Sequence, residues 1–131
     1  MTYHWTALVT ALSLLTYFYT TAMVGRARGK YKMAAPATSG HPDFERVFRV
    51  QQNTLENVAL FLPALWLFAL YVSDRWAAVI GVVWIVGRFV YAQGYYAQAD
   101  KRGRGFIMSI AASGVLVLGA LIGIVVQLLK S

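Results

Sequence analysis

Arg46, Arg49, Asn53 and Glu56 recur at i, i+3, i+7 and i+10, so on a helix they share one stripe. A second set, Arg88, Tyr91, Tyr95, Gln98 and Arg102, recurs at i, i+3, i+7, i+10 and i+14 and forms another stripe, flanked by Gln93 and Tyr96. Guanidiniums grip carboxylates through a two-point fork, a carboxylate takes an ammonium, and carboxamides and phenols can bond peptide groups. A ligand matching this set is small, anionic with some zwitterionic character, and rich in amides. The chain has no cysteine. Disulfides, thiolate metal sites and a cysteine nucleophile are therefore excluded, and any thiol chemistry must use a thiol carried by a substrate.

The elements that must position these side chains are membrane helices. Of 131 residues, 59% are hydrophobic and only 13% charged, against about 25% charged in soluble domains. Four apolar segments stand out, at roughly 3–24, 43–72, 76–98 and 106–129, the last without a charge. Together they use nearly the whole chain, so the expected fold is an all-α integral membrane bundle of four transmembrane helices, one domain over 1–131. In the second segment the uninterrupted apolar part, 58–72, reaches only about 22 Å, while a bilayer core is about 30 Å thick. To span, that helix must draw its polar front half into the membrane. Charges at that depth cost roughly 2.5 to 3.5 kcal/mol each, so they are rarely placed there without a partner or a ligand. The stripe reads as a binding wall.

Local signals mark the connections. Gly25 and Gly29 are expected to bracket the end of helix 1, residues 34–42 to form the one real loop, and Asp43 to cap helix 2. Pro63 should kink helix 2, and Ser73-Asp74-Arg75 is short enough to force helices 2 and 3 antiparallel. Arg88 follows an apolar run and needs a buried partner. Glu56, the only carboxylate outside the connections, is the natural candidate, unless it is kept for a ligand.

The formal charge of +7 does not point to nucleic acid, because of where it lies. Arg26, Arg28, Lys30, Lys32, Arg46 and Arg49 surround the first connection, and Lys101, Arg102 and Arg104 the third. By the positive-inside rule these two connections face the cytoplasm and both termini face the other side, with several of the cations touching anionic lipid headgroups. Residues 1–4 lack the basic start of a cleaved signal, so helix 1 is expected to remain in the membrane. Among ligands that suit the two stripes, glutathione ranks first by chemistry, ahead of other peptides and nucleotides. It carries two carboxylates, an ammonium, two amides and a thiol.

The block Asp43-Phe44-Glu45-Arg46-Val47-Phe48-Arg49, followed by Gln51, Asn53 and Glu56, resembles the signature of the membrane-associated proteins in eicosanoid and glutathione metabolism (MAPEG). Arg88, Tyr91, Gln93-Gly94-Tyr95 and Arg102 resemble the helix 3 block of the same family. The pattern is most similar to its glutathione-transferase and leukotriene-synthase members. The resemblance implies a homotrimer with glutathione as co-substrate, bound between neighbouring subunits near the cytoplasmic surface, and no metal. It implies that Arg28, Arg49, Gln51, Asn53, Glu56, Tyr91 and Tyr95 bind glutathione and that Arg102 is the catalytic residue, stabilising the thiolate. The second substrate would be a lipophilic electrophile, with lipid hydroperoxide reduction as a side activity. Two departures from the leukotriene-forming pattern, Asn57 in place of a tyrosine and Gly29 in place of a second arginine, favour a broader conjugating enzyme. The alternative is a non-catalytic lipid-binding scaffold like the lipoxygenase-activating member. A small drug exporter fits less well, because helix 1 carries no acid for proton coupling.

Overall fold

The structure, a computed structural model, describes residues 2–131. Four helices, α1 (His4–Tyr31), α2 (Pro42–Tyr71), α3 (Asp74–Ala97) and α4 (Gly103–Lys130), run up and down, and one 3-10 turn, Ala99–Arg102, joins α3 to α4. All four are long and apolar enough to cross a membrane, so the chain is a multi-pass integral membrane protein.

Helix α1 is longer than its sequence suggests. It continues through Gly25 and Gly29 to Tyr31, and Lys32, in the left-handed region at φ 55°, closes it by donating its N–H to the Arg28 carbonyl. Each glycine costs up to about 1 kcal/mol relative to alanine. Burial of Val24 and Ala27 against Phe44 and Val47 offsets that cost, and Arg28 and Lys30 in the last turn suit the negative end of the helix dipole. The inward stripe of α1 is mostly small or hydroxylated: Thr6, Val9, Ser13, Thr16, Thr20, Val24 and Ala27. Ser13 donates to the Val9 carbonyl at 2.7 Å and Thr16 to that of Leu12 at 2.8 Å, so the hydroxyls are satisfied within the helix and neighbouring backbones can approach.

Helix α2 starts one residue earlier than expected. Pro42 takes the first helical position, where its missing N–H costs nothing, and His41 is the cap, its Nδ1 accepting from the Asp43 N–H at 3.2 Å. The bundle core lies between α2, α3 and α4, where Phe61 stacks on Trp84 with ring centres 4.1 Å apart, beside Leu65, Phe68 and Leu116. Helices α3 and α4 meet closely at Gly105, where an added Cβ would overlap the Tyr91 backbone.

The end opposite the 3-10 turn is tied shut. Ser73 caps α3 through Trp76 N–H, and Asp74 Oδ1 accepts the Thr6 N–H at 2.9 Å, one of the donors that the start of α1 leaves without a helical partner. Asp74→Ala is expected to lower the detergent-solubilised melting temperature by a few degrees without altering ligand binding. An unchanged melting curve would show that this tie contributes nothing.

Candidate functional site

At the other end, α2, α3 and the start of α4 enclose a recess of about 390 Å³ lined by Arg49, Asn53, Tyr91, Tyr95, Arg102, Gly103 and Phe106. That volume is within the range of small-molecule sites, ~300–1,000 Å³. Arg49 and Asn53 stand one turn apart on α2, Tyr91 and Tyr95 one turn apart on α3, and Arg102 closes the 3-10 turn, so three elements each supply one wall.

The side chains are fixed by one another. Tyr91 and Tyr95 pack edge to face, 5.6 Å between ring centres. The Arg102 guanidinium lies 5.4 Å from the Tyr95 ring centre and donates to the Ala99 carbonyl at 3.0 Å, which holds an otherwise exposed cation over the recess mouth. Beneath the recess, Arg88 is 1% exposed. Its guanidinium packs 4.3 Å from the Tyr91 ring centre, and Nη2 donates to Asn53 Oδ1 and to Thr54 Oγ1, both at 2.8 Å. Asn57 donates from Nδ2 to the Asn53 carbonyl at 3.0 Å and to Asn53 Oδ1 at 3.3 Å.

Of the two roles left open for Glu56, pairing with Arg88 within one subunit does not occur. Glu56 follows Thr54 by two residues, about 200° around the helix, so a residue placing Thr54 inward turns Glu56 outward. Glu56 is exposed, and the only ion pair among the described residues joins Arg46 to Asp43. The stripe drawn through Arg46, Arg49, Asn53 and Glu56 therefore divides, with its middle members alone in the recess. Gln51 donates to Thr21 Oγ1 of α1 at 3.2 Å. Arg28 bends over the Phe44 ring to hold the first connection, donating to the carbonyls of Met33 at 3.2 Å and Ala37 at 2.8 Å. Arg28, Gln51 and Glu56 thus lie outside the recess of the single chain. The second stripe divides too: Gln98 donates to Asp100, and on its flank Gln93 donates to the Tyr19 hydroxyl.

Sequence reasoning missed Thr54, Gly103 and Phe106. Phe106 carries the same apolar signal as the membrane run it opens, and Thr54 reads as one more helical residue beside Asn53. No group of three His, Asp or Glu that could hold a metal occurs among the described residues.

A bundle of four membrane helices with two guanidiniums, a carboxamide and two phenols converging on one recess defines a multi-pass integral membrane protein with a polar, cationic recess at one end of the bundle. The MAPEG family pattern matches residues 6–122, and the chain belongs to that family. It is similar to an uncharacterized protein of Synechocystis sp., 53% identical over 124 residues covering 95% of this chain and 90% of the relative. It is also similar to microsomal glutathione S-transferase 2 of Homo sapiens, 42% identical over 118 residues (90% of this chain, 80% of the relative). Leukotriene C4 synthase of Rattus norvegicus is 37% identical over 123 residues (94% and 82%).

Proposed function

We propose that the chain is a membrane-bound glutathione transferase that holds glutathione as a thiolate and adds it to lipophilic electrophiles. The observation that carries this reading is the convergence of Arg49, Asn53, Tyr91, Tyr95 and Arg102 on one recess in a chain without a thiol of its own. Membership of a family whose relatives include a glutathione S-transferase supports it. Arg49 takes a carboxylate, Asn53 and the tyrosines take peptide groups, and Arg102 faces the sulfur.

Lowering a thiol pKa from about 8.5 to about 6.5 requires about 2.7 kcal/mol of preference for the thiolate. One guanidinium near 4 Å supplies roughly 4 kcal/mol at an effective dielectric of 20, and screening at an exposed position reduces that toward the amount needed. No base is required. The thiolate sulfur then attacks an electrophilic carbon, forming the C–S bond as the leaving group departs or an epoxide C–O bond opens. On a lipid hydroperoxide the sulfur would attack the terminal oxygen instead, breaking the O–O bond and releasing an alcohol, and a second glutathione would displace the oxygen now on sulfur as water to complete a disulfide.

The assembly is read as a homotrimer with the tripeptide at the boundary between subunits. The outward Glu56 then takes the glutathione ammonium there, with Arg28 and Gln51 at the edge. Connections one and three face the cytoplasm in this reading. Purified protein equilibrated with glutathione is expected to take it up and to show the ultraviolet absorbance of a thiolate near neutral pH. Uptake without that absorbance would favour the lipid-binding scaffold, and absence of both would remove the proposal. Glu56→Gln is expected to raise the glutathione dissociation constant about tenfold, as loss of one exposed charge-assisted contact, while thiolate reactivity changes less. An unchanged constant would assign Glu56 to the bundle alone.

A further inference from the structure

A carboxamide offers an acceptor oxygen on one side and two donor hydrogens on the other, and asparagine itself does not choose which meets a ligand. At Asn53 the choice is made from beneath. Its Oδ1 receives two donors, Arg88 Nη2 at 2.8 Å and Asn57 Nδ2 at 3.3 Å, and Asn57 also holds the Asn53 carbonyl at 3.0 Å. The oxygen is committed to the bundle interior, and the Asn53 NH2 group is left for the recess that Asn53 lines.

Arg88 is built for this task rather than for stability. It is 1% exposed, forms no ion pair among the described residues, and leaves Nε and Nη1 without a partner there. Keeping a cation so equipped out of water is costly, a cost that an apolar side chain of similar volume would not carry. Its Nη2, by contrast, is aimed: Thr54 Oγ1 at 2.8 Å and the Tyr91 ring hold the guanidinium against Asn53.

We propose that Arg88 and Asn57 are positioning residues that lock the Asn53 carboxamide with its donors toward the recess. The α2 wall then accepts only ligand groups that receive hydrogen bonds, a carboxylate or a peptide carbonyl. This rests on the recess being the glutathione site. Arg49 is a donor as well, so the α2 side of the recess selects the tripeptide's acceptor groups and leaves its ammonium to Glu56 outside the recess.

The test pairs an isosteric change with a change beneath it. Asn53→Asp keeps the bond to Arg88 but shows the recess an acceptor, and it is expected to weaken glutathione binding at least as much as Asn53→Ala. Arg88→Met is expected to raise the glutathione dissociation constant about tenfold or more, chiefly in KM rather than kcat, at an unchanged or higher melting temperature, with partial rescue in Arg88→Lys. NMR of isotope-labelled asparagine side-chain amides reads the lock without ligand. The Asn53 amide pair should be sharp in the parent protein and shifted and broadened in Arg88→Met. Equal binding by Asn53→Asp and the parent, an Asn53 signal indifferent to Arg88→Met, or an affinity loss matched by collapse of the melting temperature would each overturn the proposal. A parent protein that ignores glutathione would remove the proposed function instead, and the amide signal would still decide whether the lock exists.

Discussion

Arg102→Ala is expected to lose about 25-fold of its turnover of glutathione with a chlorodinitrobenzene-type electrophile at neutral pH while still binding glutathione. If the guanidinium moves the thiol pKa from about 8.5 to about 6.5, the ionised fraction near pH 7 falls from about three quarters to about 3% when it is removed. The sign of the pH dependence follows. The deficit is largest at and below neutrality, where only the parent protein holds a thiolate, and it shrinks to near parity around pH 9, where free glutathione ionises unaided. A purely structural role would give a deficit independent of pH. Because Arg102 also packs on Tyr95 and bonds the Ala99 carbonyl, Arg102→Lys is the control: it keeps the charge and should recover part of the activity. Initial rates across this pH range decide the matter, and equal neutral-pH turnover in parent and alanine variant would take Arg102 out of the mechanism.

The second large effect concerns the fold. Gly105→Ala places a Cβ against the backbone of Tyr91 and the carbonyl of Gly87, and neither can swing aside as a side chain could. Helices α3 and α4 must separate or shift, and overpacking of this kind typically costs 1–3 kcal/mol, occasionally more. Tyr91 lies on one side of that contact and Arg102 just before the other. Even folded protein should therefore show a distorted recess, with both melting temperature and glutathione affinity lowered. Gly103→Ala is the matched comparison, because nothing lies within 4 Å of its added Cβ. If both alanines behave alike, close α3–α4 packing is not what holds the site.

Much of the architecture was legible because membrane helices advertise themselves by composition. Four apolar runs, with most of the charges gathered around the connections, leave few alternatives to a four-helix bundle. Arg49, Asn53, Tyr91, Tyr95 and Arg102 could be grouped because each pair is one turn apart on its helix. What the periodicity could not supply was how far along each stripe the recess extends. Residues spaced i, i+3, i+7 and i+10 keep within about 80° of one face but climb about 15 Å along the axis, so Arg46 meets Asp43 at the first turn and the exposed Glu56 lies a turn beyond Asn53, outside the recess. Arg88 was correctly read as requiring a buried partner. Whether Glu56 was that partner stayed open, and a search for a countercharge overlooks neutral acceptors: Asn53 and Thr54 are what Arg88 bonds. The end of α1 was misplaced because glycine usually signals a break. Here the neighbours Val24 and Ala27 are buried by α2, which no local pattern reveals.

The tie between Thr6 and Asp74 closes one extremity of the bundle, and the recess opens at the other, beside the 3-10 turn. In sealed proteoliposomes only the molecules inserted with Arg102 outward could draw on an impermeant tripeptide added to the medium. The measured rate would report insertion direction as much as intrinsic speed, with a latent fraction released when the vesicles are opened.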